Sequence, residues 1–346
     1  MRVAQVMLGR GFGGAERSFV DTALALAESG HEVLAICHSK FVKKELLENV
    51  TGITLKTVNT FGEWDFIAPL TIRKMLNDFR AEVVHTQLKR AAWHAGRAAG
   101  GLGLPVVSKL HNYVDLHRYK YVDVLIGTTE DQKRHALLNG WHADRVVVIP
   151  NFSRICPVDA VTRGFSCPVR FISYGRYVKK KGFDILLNAF GKVLDAGIDA
   201  TLTIGGRGPE LENLKKISSE LGIEGNVVLG EWIEDVSTAL DDSDIFVLPS
   251  LDEPFGIAFL EAMARGKPII STLTQGPSQV LTANEAYLVE IGSVQQLADA
   301  MIEASNNEGA SLDKASNALT LYKDKYHQNA VIPQLVSIYE SLISSS

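Results

Sequence analysis

The chain runs twice through the order strand, glycine turn, helix, strand, and that repetition restricts its possible folds more than any other feature. The apolar run VAQVML (3–8) leads into GRGFGG (9–14), a helical pattern from Ala15 to Ser29, Gly30 as helix stop, and a second run from Glu32 to Cys37. The β-rich runs AEVVHTQ, LPVVSKLH, YVDVLIGTT and DRVVVIPN follow, separated by helical stretches such as RAAWHAGRAAG and DQKRHALLNG. After the aperiodic NFSRICPVDAVTRGFSCP (151–168) the pattern restarts: VRFISYG, FDILLNAFGKVLDAG, ATLTIGG, ELENLKKISSELG, NVVLG, DIFVLPS, a helix near Ile257, and PIIST. Strands spaced by helices need crossover connections, so they predict parallel sheets in an α/β protein. We expect two domains, residues 1–157 and 158–330, with a last helix over 331–346.

Composition narrows this further. A chain of 346 residues with 46% hydrophobic and 22% charged residues is long enough for two cores and too apolar for disorder. No apolar run approaches the ~20 residues of a membrane span, and the opening MRVAQVMLGRG turns glycine-rich too early for a secretory signal. Cys37, Cys156 and Cys167 form no CxxC, which suits a reducing compartment and speaks against a zinc site. A cytoplasmic protein is expected. Residues 1–157 hold 20 Lys and Arg against 15 Asp and Glu, a balance of +5, whereas residues 158–346 hold 15 against 25, a balance of −10. The basic half fits an anionic partner or membrane surface as well as it fits solvated surface; no nucleic-acid partner is expected.

Ligands of open parallel sheets bind beyond the carboxyl ends of the strands, and the chemically distinctive residues fall there. GRGFGG matches GxGxxG, but the second strand ends in Cys37, His38 and Ser39 with no acid for a ribose, which disfavours NAD. What remains is a loop whose amides at Gly13 and Gly14 can meet a phosphate or sugar, with Glu16 in the first helical turn. YGRYVKKKG (174–182) places Arg176 and Lys181 at a strand end in the acidic half, as a phosphate clamp would require. Gly206 in IGGRGPE permits close backbone approach, to a ligand or within a turn. In DEPFGIAFLEAMARGKP (252–268), Glu253 precedes a helix whose free amides span Phe255, Gly256 and Ile257, and Glu261 falls on that helix's sheet-facing side. A carboxylate buried there needs donors, which either a ribose diol or the protein's own backbone would supply, with Glu253 holding sugar hydroxyls or merely solvated. His85 and His111 end predicted strands of the first domain, where they read equally as structural or as functional, His111 as a catalytic candidate and His85, with Glu16, as a candidate on the acceptor side. Asp242-Ser243-Asp244 precedes a strand, and we read it as structural. FGEWDFIAPL (61–70), where Trp64 and Phe66 interrupt helical periodicity, reads either as an acceptor or membrane loop or as hidden core.

These residues resemble the retaining glycosyltransferases of family 4, which have the GT-B fold. The likeness runs through GGAE (13–16), IPN (149–151), GRYVKKKG (175–182), GGRGP (205–209), LPS (248–250) and EPFGIAFLEAMARGKP (253–268), combining R-x4-K with E-x7-E over nearly the whole chain. The resemblance implies a cleft between two Rossmann-like domains, with the nucleotide-sugar donor on the second, the acceptor on the first, and the last helix crossing back to the first. It gives Glu261 the ribose, Glu253 the transferred sugar, Arg176 and Lys181 the diphosphate, Gly14 an approach to phosphate or sugar, and His111 a place facing the reacting sugar. It also implies hexosyl transfer with retained configuration, no cofactor and no metal. Two departures stand out. The family's frequent PNG(V/I)D reads PNFSR here, and its GG..E after the signature helix reads QGPSQ (275–279), with Gln279 in place of an acid.

The leading expectation is a transferase moving sugar from a UDP- or GDP-sugar to a glycan or lipid-linked acceptor in surface-polysaccharide synthesis, cytoplasmic and in peripheral contact with an anionic membrane. The alternatives are a nucleotide-sugar epimerase or phosphorylase on the same fold, or a binding module without catalysis.

Overall fold

A computed structural model describes residues 1–62, 65–161 and 164–345. The chain forms two compact units: Met1–Arg154 with the segment from Gln328 onward, and Ile155–His327. The division falls between 154 and 155, against 157 and 158 expected, because Cys156 and Val158 bond to the second unit. The Cys156 carbonyl accepts from Arg265 Nη1 at 2.8 Å, and Val158 N–H donates to the Ala264 carbonyl at 2.9 Å.

The first unit runs β1 (Arg2–Met7), α1 (Gly14–Glu28), β2 (Glu32–His38), β3 (Ile53–Val58), α2 (Ile67–Phe79), β4 (Val83–Gln87), α3 (Leu88–Gly100), β5 (Val106–Lys109), β6 (Val124–Gly127), α4 (Glu130–Leu138) and β7 (Val146–Val148). Its described strands form one parallel sheet in the order β3-β2-β1-β4-β5-β6-β7, with β1 paired to β2 from Arg2 opposite Glu32 to Met7 opposite Cys37. The order reverses between β1 and β4, and a crevice opens at such a point. Helices cover both faces, which explains strands such as VLAIC that lack an outward polar position. On one face Ile72 and Leu76 of α2 and Ala91 and Ala95 of α3 pack on Val6, Ile36 and Val84.

The second unit runs β8 (Val169–Tyr174), α5 (Phe183–Asp195), β9 (Ala200–Gly205), α6 (Leu211–Glu220), β10 (Val227–Leu229), α7 (Val236–Asp241), β11 (Ile245–Leu248), α8 (Ile257–Ala264), β12 (Ile269–Thr272), α9 (Pro277–Val280), β13 (Tyr287–Val289), α10 (Val294–Asn306) and α11 (Glu308–Lys325). Its parallel order β10-β9-β8-β11-β12-β13 reverses between β8 and β11. Asp244 is structural, as expected: its carboxylate accepts from Arg170 N–H at 2.7 Å and Ser166 Oγ at 3.2 Å.

The final helix α12 (Gln328–Ser344) belongs to the first unit. Val331, Leu335 and Tyr339 pack with Phe19 and Leu26 of α1 on Val3, Val33 and Val83. His85 takes part in this attachment, contrary to its expected place on the acceptor side. It lies in mid-strand, fully buried, with Nδ1 2.6 Å from Tyr339 Oη and 3.0 Å from Gln5 Nε2. A strand alternates its faces, and position 85 points under α12 rather than off the sheet's edge. Trp64 lies outside the described residues.

Burial, followed by the charge of Lys109, lowers the His85 pKa to about 3. Below about pH 6.5 an unfolded chain takes up a proton that the folded one refuses, so stability falls as pH falls, by at most ~1.4 kcal/mol per unit down to about pH 3. His85→Gln removes this contribution. Urea unfolding between pH 6.5 and 4.5 should therefore show a shallower pH dependence in the variant; equal slopes would mean that His85 is not held neutral in the fold.

Candidate functional site

In the second unit two loops meet at the β8/β11 switch point. The loop after β8 carries Arg176 and turns through Lys179–Lys181 to Gly182, the N-cap of α5. Gly182 has φ +65°, and a Cβ there would lie 2.1 Å from the Pro249 carbonyl oxygen, so only glycine lets this loop close on the one after β11. Across the contact the Lys180 carbonyl accepts from Leu251 N–H at 2.8 Å and Asp252 N–H at 3.3 Å, and Lys180 Nζ lies 3.5 Å from Asp252. Lys181 Nζ and Glu253 Oε2 form an ion pair between side chains 20% and 12% exposed. Glu253 is steadied further by Ser250 Oγ at 3.3 Å, by its own N–H to Gln275 Oε1 at 3.3 Å, and by its carbonyl accepting from Gly276 N–H at 2.9 Å.

Glu261 sits one turn into α8 and is 1% exposed. Tyr174, at the end of β8, donates to its Oε2 at 2.8 Å. The helix pattern IAFLEAMA buries Phe259, Leu260 and Met263 around it, so the carboxylate is held in an apolar wall. Gly256 is the N-cap of α8, with no side-chain cap, which leaves the helix's first amides open to an anionic or hydroxyl-bearing ligand. Arg176 is exposed and, among the described residues, has no carboxylate partner.

Two of the expected donor positions also serve the fold. The Phe255 side chain is buried, stacked on Phe259 with ring centroids 6.1 Å apart, so only its backbone faces outward chemistry. Gly206 has φ +135°, and a Cβ there would lie 1.9 Å from the Gly175 carbonyl oxygen, while its N–H already donates to the Glu231 carbonyl at 2.7 Å. The close approach is within the protein. Ile257 opens α8, half-buried. The site also uses Tyr174, Ser250 and Gln275, which the sequence pattern did not single out. Ser250 lies within the LPS motif and Gln275 within the divergent QGPSQ, so both had a signal; Tyr174 had none.

In the first unit, Gly13 caps α1 and donates to Glu16 Oε2 at 3.1 Å, so Glu16 closes the helix start it was expected to share with a ligand. A Cβ at Gly14 would meet nothing within 4 Å, so space lies beside it. Nearby, Arg10 Nε is 3.3 Å from His38 Nε2, and Arg90 of α3 reaches across the β1/β4 switch to the Leu8 carbonyl at 3.3 Å. Burial, then Arg10, Arg90 and Lys40, lower the His38 pKa. This crevice edge is cationic and, among the described residues, these three cations have no carboxylate partner. His111, just past β5, pairs Nε2 with Gln87 Oε1 at the end of β4. Burial, followed by Lys109 and His85, holds its pKa well below the usual value, so it is a neutral imidazole at physiological pH. Among the described residues no three His, Cys, Asp or Glu side chains group as metal ligands would, and no helix is long and apolar enough to cross a membrane.

Residues 12–153 match the family model "Glycosyltransferase Family 4", and residues 166–320 match "Glycosyl transferases group 1". The lipopolysaccharide core biosynthesis glycosyltransferase LpsE of Rhizobium meliloti is 30% identical over 308 residues, covering 87% of this chain and 88% of that protein. The chain is a family 4 glycosyltransferase. LpsD of the same organism, also a lipopolysaccharide core biosynthesis glycosyltransferase, is 28% identical over 346 residues, 98% of each protein. Among solved structures, Anabaena Alr3699/HepE in complex with UDP superposes with a TM-score of 0.84 at 19% identity, covering 99% of this chain and 100% of that one. The fold of this family 4 enzyme is therefore GT-B, with two Rossmann-like domains.

The clasp between the loops gives a stability test. Gly182→Ala forces φ +65° on an alanine and drives its methyl into Pro249. We expect a loss of about 1–3 kcal/mol in urea unfolding. A variant as stable as the wild type would mean that the two loops are not held in contact.

Proposed function

We propose that the enzyme transfers a hexosyl unit, with retained configuration, from a UDP- or GDP-sugar to an anionic or lipid-linked glycan acceptor in surface-polysaccharide synthesis of the lipopolysaccharide type. The observation that carries this reading is the second unit's loop pair, which sets Lys181, Glu253 and Arg176 at the sheet's carboxyl edge beside the open start of α8. The names of LpsE and LpsD support the glycan class, and UDP in the Anabaena complex supports a uridine donor.

In this reading Glu261 accepts the ribose hydroxyls, Glu253 orients hydroxyls of the transferred sugar, and Arg176, Lys181 and the first amides of α8 take the diphosphate. The anomeric C–O bond to phosphate breaks, and the new C–O bond to the acceptor forms on the same face. The acceptor's hydroxyl proton passes to the leaving phosphate oxygen, so no side-chain base and no metal is needed. Negative charge grows on the diphosphate as the bond breaks, and donors already fixed there favour the transition state over the ground state. Pairing with Glu253 fixes the Lys181 ammonium before the donor arrives. Gly14 approaches the donor's phosphate or sugar and neutral His111 faces the reacting sugar, while Arg10, Lys40 and Arg90 of the same unit suit a phosphorylated or otherwise anionic acceptor. The enzyme works in the cytoplasm in peripheral contact with an anionic membrane.

Thermal melting with UDP, GDP, ADP and their common sugars tests the donor assignment. One nucleotide should raise the wild-type Tm, and Glu261→Ala should lose that rise; a screen in which no nucleotide shifts the protein would remove the ribose role. For the diphosphate, Arg176→Ala should lower kcat/KM for the donor and Lys181→Ala should lower kcat itself, each by about a hundredfold or more, while the acceptor KM changes little. The assay's rate should be unchanged by EDTA. Wild-type kinetics in both variants would place the diphosphate elsewhere.

A further inference from the structure

The stretch FGEWDFIAPL was open to a core reading, which Ala68 and Pro69 meet and four of its large apolar side chains do not. Phe61, Phe66, Ile67 and Leu70 are 84%, 63%, 72% and 65% exposed. Single exposed apolar side chains are ordinary, but four within one short stretch are not.

These side chains are also held outward by a built loop. The Asp65 carboxylate, itself buried, accepts from Phe61 N–H at 2.9 Å, Ile67 N–H at 2.8 Å and Ala68 N–H at 2.9 Å, joining both ends of the turn to the start of α2. Burial alone would raise the Asp65 pKa, yet the three amides and His94 bring it below the usual value. From α3, His94 Nε2 donates to the Gly62 carbonyl at 3.0 Å. Within α2, Ile72 and Leu76 enter the core, while Ile67, Leu70 and Lys74, spaced three and seven apart, share the outward face.

Beside the apolar cluster runs a row in which cations and aromatic rings alternate. The Arg97 guanidinium lies 5.5 Å from the Phe66 ring centre and 5.8 Å from that of Trp93. Lys120 Nζ lies 5.0 Å from the Trp93 ring and 4.9 Å from that of Tyr121. Aromatic rings and basic groups interleaved around projecting apolar side chains match the headgroup boundary of a bilayer, which is apolar below and anionic at its surface. The patch lies in the basic half of the chain, which supplies the charge complementarity.

We infer that this face of the first unit docks on an anionic lipid bilayer, with Phe61, Phe66, Ile67 and Leu70 entering the headgroup boundary and Arg97 and Lys120 meeting lipid phosphates. The inference rests on the functional reading above, in which this unit receives the acceptor, and it names the surface that brings the enzyme to a membrane-borne one.

The test is co-sedimentation of the full chain with vesicles of phosphatidylglycerol and phosphatidylcholine, compared with phosphatidylcholine alone. The wild type should bind the anionic vesicles and not the neutral ones, and added salt should weaken the binding. The double variant Phe66→Ser/Ile67→Ser should lower affinity about tenfold. Arg97→Gln/Lys120→Gln should lower it roughly fivefold per cation removed. Both variants should keep the wild-type Tm rise with nucleotide, which shows that they fold. No binding to anionic vesicles would overturn the inference, as would equal binding to neutral ones. So would a wild type that self-associates in analytical ultracentrifugation while Phe66→Ser/Ile67→Ser does not, since the face would then join two copies of the chain. Vesicle binding by a wild type that no nucleotide stabilises would leave the surface standing and remove the donor assignment instead.

Discussion

The candidate site depends on the contact between Gly182 and the Pro249 carbonyl. Because no side chain separates them, the loops after β8 and β11 lie close enough for backbone hydrogen bonds from Leu251 and Asp252 to the Lys180 carbonyl. The Lys181–Glu253 pair is a consequence of that closure more than its cause. A half-buried ion pair loses hydration nearly in proportion to what it gains in attraction, whereas each backbone hydrogen bond contributes about 0.5–1.5 kcal/mol. The clasp therefore fixes where the lysine and the glutamate stand, and in the proposed function their charges serve the ligand. The same closure turns Ser250 and Gln275 toward Glu253.

Local signals were legible where one short segment supplies both structure and chemistry. EPFGIAFLE announces an uncapped helix start and a carboxylate on its inner side from nine residues, and the helix begins at Ile257 as expected. GRYVKKKG announces a strand end with cations. The sequence pattern did not reveal β3, α2, α7, α9, β13, α10 or α11. β3 is an edge strand whose outward positions are exposed, so it lacks the apolar run that marked its neighbours. α2 puts isoleucine and leucine outward, against the usual periodicity, and α11 turns mostly serine and alanine inward. For Gly206 and Phe255 the sequence revealed a tight approach and a helix-start amide, but what the glycine and the phenyl ring touch it did not show.

Long-range polar contacts were the least legible part. Arg154 pairs with Glu28, its Nε donates to Gln328 Oε1 at 3.1 Å, and Gln328 Nε2 donates to Glu28 Oε2 at 3.2 Å. Arg154 and Gln328 are the first unit's residues at its two chain crossings, so one cluster on α1 gathers both exits. The substitution of PNFSR for PNG explains part of this arrangement. Phe152 is buried in the first unit's core and Arg154 follows two residues later. The segment that departs from the family pattern is an anchor in this chain. No local pattern could have paired residue 28 with residue 328, or His85 with Tyr339.

Charge follows the same division of labour. In the first unit the cations near the crevice, Arg10, Lys40 and Arg90, surround a neutral imidazole, and those of the outer face, Arg97 and Lys120, lie over aromatic rings. Neither group is neutralised by carboxylates among the described residues, which suits surfaces that meet anions from solution or from a lipid layer. The second unit is acidic overall, and its lysines at the site already face acids, Lys180 toward Asp252 and Lys181 toward Glu253. A fully paired cluster would have little field left for a diphosphate. In the proposal Arg176 supplies it: exposed, two residues beyond the end of β8, and without a carboxylate partner among the described residues. A guanidinium there can bind a phosphate bidentately without first breaking an internal pair. In the proposed mechanism Lys181 shares its charge between Glu253 and the leaving group, so its hold on the phosphate strengthens most as charge accumulates there. Under that proposal Arg176 contributes chiefly to capturing the donor, and Lys181 chiefly to the step in which the bond breaks.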